Sequence, residues 1–112
     1  MTEPAPPAAV SVLVFDMAHT GHEDGEHRVS GFRNLASARE YARRRTRASI
    51  EELRRPGIAA DELRQLWALY GEDCAVLGDS YRGSSELDRF IAEPGEFDDC
   101  DWQSLDHSRQ GR

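Results

Sequence analysis

Lysine is absent from this 112-residue chain: all 14 basic residues are arginine, a usage bias to which no function attaches. The absence does exclude one chemistry. Gly78-Asp79-Ser80-Tyr81-Arg82-Gly83-Ser84-Ser85 spaces two glycines between a strand and a helix as phosphate-binding loops do. Nucleotide hydrolysis at such a loop needs a lysine on the β and γ phosphates and a larger parallel sheet than this chain can form. Cysteine is scarce as well. Cys74 falls in a predicted strand and Cys100 in an acidic stretch, with no CxxC, so both read as free thiols and not as a disulfide or metal pair. No apolar run approaches the roughly 20 residues that cross a bilayer. Residues 1–9 lack the basic start and apolar centre of a signal peptide, so a cytoplasmic location and no membrane partner are expected. No Ser-His-Asp set and no cysteine with an evident histidine partner are present, which argues against an enzyme, and no internal repeat suggests a solenoid.

What is present suits one domain with one core. The apolar fraction is 38% and the charged fraction 31%, ordinary for a folded chain with a solvated surface. The Pro- and Ala-rich residues 1–9 read as a disordered leader. Val10 to Phe15 is a β-branched, apolar run with little alternation, as expected of a strand covered on both faces or at a sheet centre. The polar stretch around Gly21 and Asp24-Gly25 leads back through a second strand, Glu26 to Phe32, as a long-looped hairpin. Asn34 or Ser37 caps a helix that runs to about Arg55, with Leu35, Ala38, Ala42, Ile50 and Leu53 on one side and Pro56-Gly57 as its stop. Leu63, Leu66, Trp67 and Tyr70 at i, i+3, i+4 and i+7 make a second helix with a core-facing stripe and Gly71 as its cap. Cys74 to Leu77 reads as a short buried strand, and Ser84 or Ser85 opens a helix that ends before Pro94. The fold class is therefore α+β: a small sheet of about three strands in β-β-α-α-β-α order, with helices on one face, over residues 10–93. Residues 94–112 read as an acidic, largely flexible tail that can dock by Phe97, Trp102 and Leu105.

Three segments carry residue types suited to binding. His19, His22 and His27 crowd a dozen residues with Asp16, Glu23, Asp24 and Glu26, the ligand types that zinc, nickel or iron accept. A divalent metal is the only cofactor they suggest, against the plainer reading of a solvated polar loop. At the Gly78–Ser85 loop, Arg82, Ser84 and Ser85 at a helix start suit a small anion, with turn-making and capping as the alternative. Asp16 and Asp79 both close predicted strands, and would converge on one edge if those strands are parallel neighbours. The stretch from Arg33 to Arg55 holds eight arginines against Glu40, Glu51 and Glu52, although the chain as a whole carries −7. Arg39, Arg43 and Arg47 share a face of the helix wheel and suit a protein partner, including the chain's own acidic tail. With that net charge, nucleic acid is not expected as a partner. Trp102 either folds back or is offered to a partner.

These features rank as a non-enzymatic protein-interaction module first. The alternative is a small-ligand, anion or metal domain with its site at the strand ends. The third is a nucleic-acid binder through the arginine helix. A homodimer is compatible with so small a domain, and no residue demands one.

Overall fold

A computed structural model describes residues 10–19 and 25–106. The expected leader (1–9), His22 and the last six residues lie outside them. The chain runs β1 (Val10–Asp16), β2 (Glu26–Phe32), α1 (Leu35–Leu53), α2 (Ala60–Tyr70), β3 (Glu72–Val76), α3 (Leu87–Ala92) and α4 (Phe97–Cys100), with short 3-10 turns at Met17–His19, Gly83–Glu86 and Gln103–Leu105. This is the expected α+β order with one further short helix.

The most apolar strand, β1, is central: the sheet order is β2-β1-β3. Both pairings are antiparallel, with Leu13 opposite Arg28 on one side and Ala75 on the other. Val12 and Val14 of β1 and Cys74 and Val76 of β3 point the same way. They meet Ala38, Tyr41 and Ala42 of α1 in the principal core. Strand residues of the opposite parity, Leu13, Phe15 and Ala75, are half-buried; over the Phe15 ring lies the Arg82 guanidinium, 5.0 Å away. A second core joins Ile50 of α1 to Leu63 and Trp67 of α2 and to Phe90 and Ile91 of α3. Helix α1 is thus shared by two cores, which is why its buried set extends beyond an apolar stripe.

Local chemistry sets the boundaries. Asn34 caps α1, its Oδ1 accepting from the Ser37 amide at 2.9 Å, and Gly57 takes a φ of 78° in the turn that follows. Gly71 ends α2 pressed against the Trp67 ring, where a Cβ would stand 2.2 Å from a ring carbon. Strand β3 begins two residues earlier than the apolar run suggests, because Glu72 and Asp73 are held by partners described below. Two stripe residues are corrected: Leu35 is 37% and Tyr70 60% exposed. They stand in the first and last turns of their helices, which overhang the cores.

Residues 94–106, expected to be largely flexible yet able to dock, are described in the docked state. Trp102 and Leu105 pack against the principal core, and Asp106 is buried, accepting from the Tyr41 hydroxyl at 3.2 Å. No helix among the described residues is long and apolar enough to cross a membrane.

Candidate functional site

The arginines of α1 face the rest of the chain. Arg39 forks onto Asp79 at 2.7 and 2.9 Å, and that hydrogen-bonded pair holds the Asp79 carboxyl down at about 2. Arg43 reaches Glu86 and Glu40, each at 2.9 Å, and lies over the Tyr81 ring. Arg44 bonds Glu40 at 2.8 Å and the Asp101 carbonyl at 3.0 Å. Arg45 is buried: it forks onto Glu72, donates to the Tyr41 hydroxyl at 2.6 Å and stacks 4.0 Å from the Trp102 ring centre. Arg47, also buried, donates to the Glu93 carbonyl at 2.7 Å and lies over Phe90. A planar guanidinium with five donors can join two or three segments at once, and here it ties the later, acidic half of the chain to the basic helix. Of the eight arginines from Arg33 to Arg55, only the two at the ends make no ion pair or side-chain hydrogen bond among the described residues. A phosphate backbone would have to displace carboxylates to use this helix.

The strand ends do not converge. Because β1 and β3 are antiparallel, with Val12 opposite Val76 and Asp16 opposite Glu72, Asp16 and Asp79 stand at opposite ends of the sheet. The shared edge required parallel strands. Asp16 instead accepts from the Ala18 amide at 3.0 Å and lies 2.8 Å from the His19 ring, and the His19 contact lowers its pKa. His27 is exposed on β2. Among the described residues no group of three His, Cys, Asp or Glu side chains gathers as metal ligands.

At the Gly78–Ser85 loop the anion position is filled by the protein itself. The buried Asp73 carboxylate accepts from the Ser84 and Cys74 amides, both at 2.9 Å, and from Arg82 at 3.0 Å. The Ser85 hydroxyl donates to the Arg82 carbonyl at 2.6 Å. Gly83 lies so close to α1 that a Cβ would stand 1.9 Å from Thr46 Oγ1. The residue types suited to an anion thus meet a carboxylate of the same chain.

Among the described residues lie two open grooves. One, of about 530 Å³ at the start of α1, is lined by Phe32, Arg33, Ala36, Ser37, Glu40 and Leu105 among others. The other, of about 350 Å³, runs between the second half of α1 and residues 97–103. Trp102 lines it: its ring stacks on Arg45 and makes a T-shaped contact with Tyr41 at 5.9 Å. Large apolar side chains also stand in solvent, Leu69 at 58%, Tyr70 at 60% and Phe97 at 78% exposure. The sequence marked Phe97 as an interruption of acid and Tyr70 as core; exposure is a tertiary property that neither spacing encodes. Asp73 carries no such signal in the sequence, standing just before the predicted strand Cys74 to Leu77. No protein-family model matches the chain, nor does any curated protein or solved structure.

Proposed function

We propose that this protein is a non-enzymatic protein-binding module. The reading rests on one observation: Leu69, Tyr70 and Phe97 are exposed while the polar groups best suited to chemistry are engaged inside the molecule. Large apolar side chains held in water at fixed positions suit a partner's surface. Asp73, Asp79, Arg39, Arg43, Arg45 and Arg82 hold the fold together, and such groups are poorly placed to bind or turn over a substrate. The test is affinity capture with the full chain beside a Leu69→Ser, Tyr70→Ser, Phe97→Ser variant, each eluate compared by mass spectrometry. A module of this kind retains partners that the variant loses; identical eluates would remove the proposal.

A second reading has its own observation. The larger groove has an apolar floor of Phe32, Ala36 and Leu105 beside an Arg33 with no ionic partner among the described residues, a composition that suits a small ligand bearing an acidic group. Saturable binding of such a ligand, lost in Arg33→Gln, would favour it.

A further inference from the structure

The smaller groove combines aromatic rings with several carboxylates, and Arg44 bonds the Asp101 carbonyl beside them. Its walls include Ala48, Glu52, Phe97, Cys100, Asp101 and Trp102. Helix α4 is fixed by a capping box in which Glu96 and Asp99 bond each other's backbone, so Phe97, the first residue of that helix, is held outward on a rigid turn. Glu52 and Asp98 are exposed, and among the described residues neither makes an ion pair or hydrogen bond through its side chain. Among the described residues the Asp99 carboxylate accepts from the Glu96 amide and that of Asp101 from the Ser104 amide. Glu51 is neutralised by Arg54. Burial raises the Cys100 pKa, and Glu51, Asp99 and Glu52 add to the rise while Arg47 opposes it. The thiol there is a wall and not a nucleophile.

A cation fits this arrangement, and the guanidinium of arginine fits it best, because it stacks flat on an aromatic face while its edge forks onto a carboxylate. The protein already uses that pairing beside the groove, where Arg45 stacks on Trp102 and forks onto Glu72. We propose that the groove between α1 and residues 97–103 docks an arginine-bearing segment of a partner protein, with Phe97 as the ring it meets and Glu52 as a carboxylate it pairs with. The proposal rests on the protein-binding reading above and names the chemistry of the partner at one of its faces.

The test is an amide-resolved NMR titration of the full chain with a capped pentapeptide carrying two arginines, beside the same peptide with glutamine at both positions. The expected result is saturable shifts on Ala48, Glu52 and residues 97–103. Affinity falls as salt rises, drops about ten-fold in Phe97→Ala and several-fold in Glu52→Gln, and is absent for the glutamine peptide. Phe97 and Glu52 lie on the surface, so both variants keep the fold. Equal affinity for the two peptides, or none for either, overturns the proposal. So does dilution of the unliganded chain moving the same signals, which would make a second copy the occupant. If the arginine peptide fails while capture still depends on Leu69, Tyr70 and Phe97, the groove is wrong and the module reading stands; if capture fails as well, both fall.

Discussion

Replacing Trp102 by alanine removes the main contact that fastens residues 97–106 to the domain. The ring stacks on Arg45 at 4.0 Å and meets Tyr41 edge-on at 5.9 Å. The guanidinium stack contributes about 0.5–2 kcal/mol and the aromatic pair about 0.5–1.5 kcal/mol. With the apolar area that a half-buried indole also gives up, the loss comes to about 2–3 kcal/mol, below the range for a fully buried tryptophan. Against a total stability of about 5–15 kcal/mol, that lowers the urea midpoint by about 1–2 M. Fluorescence of Trp67, which lies in the second core, reports the transition in wild type and variant alike. Trp102→Phe keeps a ring over the guanidinium and recovers roughly half of the loss. A midpoint change under about 0.3 M would mean that the C-terminal segment does not lie on α1, and the argument for a preformed groove would fail with it.

Other predictions follow from single contacts. Gly83→Ala pushes a Cβ into Thr46, which is wholly buried, and destabilises by about 1–3 kcal/mol in thermal unfolding. Asp79 is held at about 2 against an ordinary 3.8, so its contribution is complete above the ordinary value. Between the two values the unfolded chain binds more protons than the folded one, and the contribution is lost as the pH falls. Urea midpoints measured from neutral pH down to about 2 should therefore fall less steeply for Asp79→Asn than for wild type. Burial pushes the Cys74 thiol up to about 12, so a thiol reagent at about pH 8 labels Cys74 only after unfolding. Leu69→Ser with Tyr70→Ser, both solvent-facing, should change stability by less than about 0.5 kcal/mol each.

Local signals in the sequence reached the elements and not their arrangement. The β-branched run of β1, the Asn34 cap and the Pro56-Gly57 stop act within a few residues of where they stand, so they are legible in one sequence. Sheet order and strand direction depend on residues some 60 positions apart, Val12 with Val76 and Asp16 with Glu72; no local pattern fixes that pairing, and the Asp16–Asp79 edge failed on it. Apolar periodicity finds Ala38, Ala42 and Ile50 in α1. It overlooks Arg45 and Ser49, which are buried through bonds and not through apolarity, and Thr46, which lies against Gly83. The Ser49 hydroxyl donates to the Thr46 carbonyl at 2.7 Å within the helix and accepts from the Trp67 indole at 3.0 Å, the second a partner set only by the tertiary fold. The arginine cluster was visible as charge. Its use, as a set of ties to Asp79, Glu86, Glu72 and the 93–101 backbone, was foreshadowed only by the opposite charge of the chain's later half.

We propose that this molecule binds a protein surface through exposed side chains, while its strand-end loops serve the fold. The most direct measurement is a single NMR series on the labelled chain with zinc, with phosphorylated small molecules, with short nucleic acids at two salt concentrations, and with the arginine peptide. On this proposal only the peptide gives saturable shifts, gathered on residues 48–52 and 97–103. Saturable shifts on Gly78–Ser85 or on His19 and His27 with zinc or a phosphorylated ligand would contradict it and make a ligand-binding domain the working description.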